Sequence, residues 1–518
     1  MLSVVESSAI YGVDAYGVRV EVNVAFTSVA PGFTIVGLPD AAVQEARERV
    51  RAAIKNSGLS FPADKRLTVN LAPADVRKGG PAFDLPIAVG MLIATNQIAP
   101  ETAAGCLFTG ELGLDGSVRS VTGVLPMAVW AKKTGCKRFV VPSANTGEAA
   151  IVGDVDVYPV DTLADVLMLL SDWDRVSPVR ADPEAALAQQ THDEWDFCDV
   201  KGQAHVKRAL EVAAAGGHNV LLVGPPGSGK TMLAQRLPTI LPPMTVDEAL
   251  ETTKLYSVMG LLKAGTALVS ERPFRAPHHT ISNAGLTGGG SIPRPGEVSL
   301  AHGGVLFLDE LPEFNRDVLE VMRQPLEDGH VTIARAAASL TFPARFTLIG
   351  AMNPCPCGFY GDSMRPCVCK PEAVQKYLQK ISGPLLDRID IHIEVPRLRY
   401  DELTAPPVGE RSAAIRERVL RARGIQGARF KDADTERKMH CNAHMGSRHI
   451  QAHCRVTPDA KSLLCAAITQ MSLSARAYDR ILKLSRTIAD LAGESEIGIA
   501  HVAEAVQYRA LDRKFWGG

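Results

Sequence analysis

Apolar positions recur along the chain in three different ways. In residues 1–170 short apolar runs are punctuated by Gly and Pro. Val18–Phe26 and Leu67–Leu71 alternate as strands do, whereas Ala41–Lys55 and Leu125–Lys133 recur at helical spacing, so a mixed α/β domain is predicted there. Residues 171–196 change character, from Ser171-Asp-Trp-Asp-Arg-Val-Ser-Pro to a polar stretch at Gln189-Gln190, and read as a linker. Over 197–398 the fully apolar runs Val220–Val223 and Val305–Leu308 are each followed by a turn or helix signal. That pattern predicts buried strands of a parallel sheet in a βα arrangement. A second break falls at Leu403-Thr-Ala-Pro-Pro-Val-Gly409. Residues 411–518 then carry helical periodicity, as in Ile481–Leu491. The expected fold class is α/β with a helical C-terminal region, and no tandem repeat interrupts it.

Composition narrows the function classes. A chain of 518 residues corresponds to about three domains at roughly 150 residues each. Hydrophobic content of 46% and charged content of 22% exclude a disordered or fibrous chain. Lys and Arg total 56 against 57 Asp and Glu, so a general polycation that coats nucleic acid is excluded and any nucleic-acid site must be local. Aromatics at 5% disfavour wide base-stacking platforms. Apolar runs such as Ala204–Ala215 are too short to span a bilayer. The start Met1-Leu-Ser-Val-Val-Glu lacks the features of a signal peptide, so a cytoplasmic protein without a membrane partner is expected. Ten cysteines in such a chain do not read as a disulfide framework.

The strongest chemical signal is Gly224-Pro225-Pro226-Gly227-Ser228-Gly229-Lys230-Thr231, between the strand Val220–Val223 and a helix start. This is a complete P-loop in the context the motif needs. Its glycines let backbone N–H groups turn onto phosphate oxygens, and the helix N-terminus adds positive partial charge. Lys230 should reach the β/γ-phosphates and Thr231 should ligate Mg²⁺. Asp309 and Glu310 end the apolar run Val305–Leu308, where open sheets bind ligands. Asp309 would hold Mg²⁺, directly or through water, and Glu310 would polarise the attacking water. Together these residues predict hydrolysis of a nucleoside triphosphate, with ATP the expected substrate.

Arg275-Ala-Pro-His-His-Thr280, Gly288-Gly-Gly290, Pro293-Arg-Pro-Gly-Glu297 and Ser299-Leu-Ala-His302 lead into the Asp309-Glu310 strand. These stretches resemble the magnesium-chelatase-like branch of the AAA+ ATPases, and within it the ComM/YifB family, over nearly the whole chain. The resemblance implies an AAA+ core at 197–398, a helical lid at 411–518, and a homo-oligomeric ring, usually a hexamer, with nucleotide at subunit interfaces. It implies a motor on single-stranded or branched DNA that drives branch migration during uptake and recombination. It makes Asn353, in Gly350-Ala-Met-Asn353-Pro, the sensor that helps Glu310 position water; a simple turn-starting Asn is the alternative. Arg388, in Leu385-Leu-Asp-Arg388-Ile-Asp390, would be an arginine finger reaching a neighbouring subunit, or else an intrachain partner of Asp387 or Asp390. Arg476, in Ser474-Ala-Arg476-Ala, would be a second sensor at the start of a lid helix, or else a solvated arginine. The long segment between the P-loop helix and Asp309 fits the helix-2 insert of this branch, with Gly288–Gly290 as a pore-facing loop. His330–Arg335 and Leu340–Arg345 read as a hairpin, with Arg335 either a phosphate contact or an exposed arginine. The rival functions are the motor subunit of a magnesium chelatase and a protein-remodelling ATPase.

Gly79-Gly-Pro-Ala82-Phe-Asp84 and Thr109–Arg119 resemble the proteolytic domain of Lon. The resemblance puts Ala82 where its serine belongs and Leu125 where its lysine belongs. Without nucleophile and base, the mechanism cannot operate. A Lon-protease-like domain of the magnesium chelatase ChlI type is therefore expected over 1–170, without peptidase activity, serving assembly or guiding DNA. Asp75, Arg77 and Lys78 read as ordinary loop charges or functional surface residues.

Cys355, Cys357, Cys367 and Cys369 place four thiols within 15 residues, with Pro and Gly turns between them. They suit a structural Zn²⁺ in a knuckle that could also touch DNA, with free thiols as the alternative. His440, Cys441, His444, His449, His453 and Cys454 match no strong metal pattern and read as an ordinary polar helix. Arg411 to Lys431 holds seven basic residues and one acid, either a DNA-facing stripe or a solvated helix.

Overall fold

The computed structural model describes residues 1–25, 31–188, 195–263, 265–290, 293–335, 338–362, 364–398, 402, 409–431, 439–471 and 474–515. The chain forms two compact units: Met1–Gln190 with Met244–Ser270, and Thr191–Pro243 with Glu271–Gly518.

The first unit is built on a seven-stranded mixed sheet, ordered Gly32–Val36, Arg66–Ala72, Asp14–Ala25, Leu2–Tyr11, Cys106–Phe108, Arg138–Pro142, Asp156–Val160. Leu2–Tyr11 pairs antiparallel with Asp14–Ala25, and the strands from Cys106 onward are parallel. Alternation in Asp14–Ala25 buries Val18, Val20, Val22 and Val24 on one face, as the sequence pattern requires. The helix Ala41–Asn56 starts at Asp40, whose Oδ1 accepts from Val43 N at 2.9 Å. It buries Val43, Ala46, Val50, Ala53 and Ile54, the stripe of an amphipathic helix. The helix Asp84–Ala94 is buried at every position. Its nearly continuous apolar run carries no period that would distinguish a buried helix from a buried strand.

Two features depart from the expected organisation. Part of the linker expected over 171–196 is folded, with Trp173–Arg175 and Pro183–Ala188 helical, while Gln189–Gln190 lie outside the described residues. Trp173 explains why. Its ring meets Tyr158 edge-on at 4.9 Å, lies under the Arg138 guanidinium at 4.4 Å, and its Nε1 donates to Thr102 O at 3.2 Å. The second departure is Met244–Ser270, which the sequence assigned to the 197–398 core but which packs in the first unit. Thr245 caps its helix Val246–Val258 through a capping box. Met244, Ala249 and Leu268 bury apolar surface with Leu125 and Ile151.

The second unit holds a five-stranded sheet, ordered Phe274–Arg275, Val305–Leu308, Thr347–Met352, Val220–Val223, Ile391–Glu394, with every pairing parallel. Val220–Val223 and Val305–Leu308 are buried at every position, which is why they read as unbroken apolar runs. The C-terminal part is helical: Ser412–Phe430, Pro458–Met471, Ala475–Ala492 and Ile499–Gln507. Ser474 caps the third of these, its Oγ accepting from Ala477 N at 3.2 Å. Of the break expected at 403–409, residues 403–408 lie outside the described ones. Among the described residues no helix is long and apolar enough to cross a membrane.

Candidate functional site

Parallel strands bring the P-loop, Asp309 and Asn353 to one edge of the second unit's sheet, because Val220–Val223, Val305–Leu308 and Thr347–Met352 all end there. Gly227 and Gly229 have φ of +75° and +89°, a left-handed conformation that lets the loop turn tightly before the helix Lys230–Ile240. A Cβ on Gly224 would lie 2.2 Å from Val395 O, so the loop could not sit here with a larger residue. Lys230 is buried, and its Nζ donates to Gly224 O at 2.8 Å, Pro225 O at 3.0 Å and Asn353 Oδ1 at 3.2 Å. Burial lowers its pKa, and Asp309 and Glu310 oppose the shift. Thr231 Oγ1 donates to Asp309 Oδ2 at 2.8 Å. Ser228 Oγ is buried without a partner among the described residues, an orphan donor inside a loop of inward-turning amides. A phosphate would satisfy it. The residues present therefore fit a nucleoside triphosphate, with Thr231 and Asp309 as the pair able to hold Mg²⁺.

Glu310 has φ +51°, and its backbone is fixed on both sides: its N–H donates to Asp309 Oδ1 at 2.9 Å and its carbonyl accepts from Glu313 N at 2.7 Å. Its carboxylate Oε2 lies 3.6 Å from His279 Nδ1.

Arg388 is buried and does not pair with Asp387 or Asp390. Its Nη1 donates to Pro384 O at 2.6 Å, its Nη2 pairs with Glu327, and its Nε is buried without a partner among the described residues. Asp390 instead binds His218 at 3.1 Å and Arg480 at 2.9 Å. Arg476 is exposed and close enough to Glu327 to help Arg388 lower its pKa. Arg388 and Arg476 thus share a neighbourhood around Glu327. Glu327 had no sequence signal, since it lies in the short helix Arg323–Asp328 with no motif around it.

The Sγ atoms of Cys355, Cys357, Cys367 and Cys369 all lie within 4.8 Å of one another. Three of the separations are 3.4, 3.6 and 3.6 Å. Tetrahedral zinc with Zn–S near 2.3 Å sets sulfurs about 3.8 Å apart, so the donor set fits. Burial opposes ionisation of Cys357, but the Val368 and Phe359 N–H groups outweigh it and pull the thiol down to about 6. The loop also meets the P-loop. A Cβ on Gly358 would lie 2.5 Å from Pro226 Cδ, Arg397 Nη2 donates to Pro226 O at 3.5 Å, and Arg365 and Arg397 both lie over the Phe359 ring. Among the described residues this is the one group of three or more His, Cys, Asp or Glu whose ligand atoms come this close together.

Two short antiparallel pairs lie together. They are Gly288–Gly289 with Arg294–Pro295, and His330–Arg335 with Ala338–Pro343. Gly288 has φ +103°, and a Cβ on it would lie 2.7 Å from Ile333 Cδ1. Arg294 and Arg335 are exposed. The basic stripe at 411–431 has a different fate. Arg418 binds Glu410 and Glu211, Arg423 donates to Ala214 O and His440 O, and Arg429 binds Asp490 and Asn442. Much of it is engaged within the unit because the helix Ser412–Phe430 buries one face.

Comparison with known proteins fits these observations. Residues 196–403 match the family described as Magnesium chelatase, subunit ChlI; residues 20–145 match Subunit ChlI of Mg-chelatase; residues 409–509 match the C-terminal family of that subunit. Competence protein ComM of Haemophilus influenzae is 45% identical over 515 residues, covering 99% of this chain and 98% of that protein. The YifB protein of Salmonella typhimurium is 42% identical over 523 residues, again 99% and 98%. The chain belongs to the ComM/YifB family. Lon protease 2 of Bacillus subtilis is 33% identical over 189 residues, covering 31% of this chain and 33% of that protein.

In this ComM/YifB member the first unit holds no comparable reactive group at the positions the Lon resemblance singled out. Ala82 and Leu125 are buried in apolar clusters. Leu125 N donates to Glu148 Oε2 at 3.2 Å, and the same oxygen accepts from Ser257 Oγ at 2.6 Å. Burial raises the Glu148 pKa against these hydrogen bonds and that of Asn145. Lys78 is not the loop charge expected from sequence. It is fully buried, its Nζ has no partner among the described residues, and burial lowers its pKa. Its backbone explains the position, since Lys78 N donates to Leu38 O at 3.1 Å and its carbonyl accepts from Asp40 N at 2.9 Å.

Proposed function

We propose that the protein is an ATP-hydrolysing, ring-forming motor that moves branched DNA during uptake and recombination. The observation that carries the ATPase part is the convergence of Lys230, Thr231, Asp309 and Asn353 at the strand ends, with the orphan Ser228 hydroxyl inside the loop. The likeness to a competence protein over nearly the whole chain supports the DNA part.

Lys230 and the P-loop amides would bind the β- and γ-phosphates. Mg²⁺, held by Thr231 and Asp309, would supply charge neutralisation on the phosphate oxygens. Glu310 orients a water and takes its proton, and Asn353 steadies Lys230 and that water. Arg388, which shares the surroundings of Glu327 with Arg476, acts on the nucleotide of a neighbouring copy in a hexameric ring, and Arg476 reports loss of the γ-phosphate to the lid. Arg294 and Arg335 on the two hairpins contact the phosphate backbone of single-stranded or branched DNA. The first unit keeps a Lon-like fold without peptidase chemistry and serves assembly or DNA guidance.

Cys355, Cys357, Cys367 and Cys369 would hold a structural Zn²⁺, which would cross-link the loop that leans on Pro226. Purified protein should contain zinc, and Cys367→Ser should lose it and weaken ATP binding; a zinc-free wild type with normal ATP affinity would remove the metal from this account.

The test of the motor is steady-state ATP turnover with and without single-stranded or four-way-junction DNA, beside Glu310→Gln. Strong stimulation by DNA, abolished in the variant, is expected. Turnover indifferent to DNA would favour the second reading, a magnesium-chelatase-type motor, which the three ChlI family matches support. Dependence on a chelatase partner would then mark it.

A further inference from the structure

The cysteine loop carries more than its thiols. Val368 and Met364 are 84% and 67% exposed, the two highest exposures of any large apolar side chain among the described residues. Slack chain does not explain them. Val368 lies between Cys367 and Cys369, whose Sγ atoms converge with those of Cys355 and Cys357. Asp362 Oδ1 accepts from Met364 N at 2.7 Å and from Arg365 N at 3.1 Å. The Arg365 and Arg397 guanidinium groups lie 4.3 and 5.2 Å from the Phe359 ring centroid. The loop is a braced knob that holds two apolar side chains in water. A lone exposed apolar side chain is ordinary, but two on a fixed protrusion make an anchor, because little conformational freedom is left to lose when they are covered.

The knob stands beside the nucleotide loop, since a Cβ on Gly358 would lie 2.5 Å from Pro226 Cδ. A second exposed apolar side chain lies on the Arg388 side. Tyr478 is 39% exposed on the helix Ala475–Ala492, two residues after Arg476. Arg476 acts electrostatically on Glu327, which pairs with Arg388. In a ring whose Arg388 reaches the next copy's nucleotide, the Arg388 side of one copy meets the P-loop side of the next. The knob and Tyr478 then fall on facing surfaces. Their surroundings are opposite in charge: Arg365 and Lys370 are exposed beside the knob, and Glu327 and Asp328 are exposed on the Arg388 side.

We propose that the cysteine loop is a docking knob for a second copy of this chain, with Met364 and Val368 of one copy packing on Tyr478 of the next. This rests on the reading of the chain as a ring that uses Arg388 across the interface. The contact is heterologous, one patch meeting a different patch, as a closed ring requires. Because the knob leans on Pro226, docking would also set the distance between a P-loop and the Arg388 that serves it.

Val368→Asp and Tyr478→Asp test the two halves of the contact. Assembly of full-length protein would be followed by light scattering over a range of concentrations, with Mg²⁺ and a non-hydrolysable ATP analogue. Each variant should need roughly tenfold or more protein for half assembly. Mixing them gives a sharper result. The Tyr478→Asp copy keeps a sound knob and the Val368→Asp copy keeps a sound Tyr478, so one interface between unlike copies is intact. The expected product is a one-to-one dimer at concentrations where either variant alone is monomeric, with no ring, because the next interface has both halves broken. Should Val368→Asp fail to fold, as judged by thermal unfolding, Met364→Asp carries the same expectations. Assembly of the folded knob variant at wild-type concentrations overturns the proposal, and so does a mixture that stays monomeric. Normal assembly with loss of DNA-stimulated turnover also overturns it, and would give the knob to DNA. A wild type that stays monomeric at every concentration would instead overturn the ring reading beneath it, so the two failures are distinguishable.

Discussion

Each unit buries a lysine, and the two lysines have opposite surroundings. Lys230 and Lys78 are both removed from water, and burial lowers the pKa of both. Lys230 has three oxygen acceptors and two carboxylates within electrostatic reach. Lys78 Nζ has no hydrogen-bond partner among the described residues, with Asp75 opposing its shift. Both units are α/β, so the contrast lies in which side chains each fold brings together. In the second unit, parallel strands deliver a glycine loop, two acids and an amide to one edge. In the first, the Met244–Ser270 segment brings Met244, Ala249 and Leu268 onto Leu125. A buried charge persists where partners repay desolvation, and is a liability where they do not.

The largest effect should follow from replacing the partnered lysine. Lys230→Met leaves the Asn353 amide and the loop carbonyls without their donor and removes the phosphate contact. Turnover should fall by about 10³-fold or more, the scale of losing a charge-stabilising group at a phosphoryl centre. Steady-state phosphate release measures it, and turnover within tenfold of wild type would break the assignment of the site.

Next comes Arg388→Ala, expected to lower turnover by roughly 10³-fold with ATP binding retained. Because Arg388 is read as serving a neighbour's nucleotide, mixing this variant with Glu310→Gln should restore part of the activity. Some interfaces in mixed rings would pair an intact Glu310 with an intact Arg388. No recovery on mixing, with oligomers formed, would place Arg388 in its own subunit's chemistry.

How much of this was legible beforehand differs between the units for the same physical reason. The strands Val220–Val223 and Val305–Leu308 are buried on both faces and stood out as unbroken apolar runs. The P-loop needs particular residues at adjacent positions, so its sequence carries its geometry. Contacts made across long separations leave no such trace. Nothing near Glu327 announces a partner for Arg388, and nothing near Lys78 announces burial. His279 lies inside the Arg275–Thr280 motif, but only the fold brings it to Glu310. Met244–Ser270 misled because chain order does not determine packing partner; its helix pattern was as compatible with the first unit as with the second. Four cysteines within 15 residues were legible because their spacing is local. The basic run at 411–431 was ambiguous because charge alone does not say whether an acid waits across the helix.

In the first unit the comparison predicts effects on stability rather than chemistry. Leu125→Ala removes a fully buried side chain from the cluster with Ile151, Met244, Ala249 and Leu268. It should destabilise that unit by about 2–5 kcal/mol. Denaturant unfolding would measure this, with ATP turnover of the still-folded protein changed far less than by Lys230→Met. A turnover loss approaching that of Lys230→Met, in folded protein, would mean the first unit contributes to the reaction.

The smallest effect should have the opposite sign. Lys78→Met replaces an orphan ammonium with an apolar chain of similar length, and removal of an unpartnered buried polar group should stabilise by about 1–3 kcal/mol. The pH dependence sharpens this. Burial holds the folded pKa of Lys78 below the ordinary value of 10.5, so between those two values the unfolded chain binds the more protons. Stability therefore rises with pH through that window, and the gain from Lys78→Met should be largest below it and fade as pH approaches 10.5. Unfolding free energies of wild type and variant, measured from neutral to alkaline pH, would show the two curves converging upward. A variant that is less stable at neutral pH would mean that Lys78 has a partner worth more than its desolvation, and the contrast with Lys230 would collapse into two lysines of the same kind.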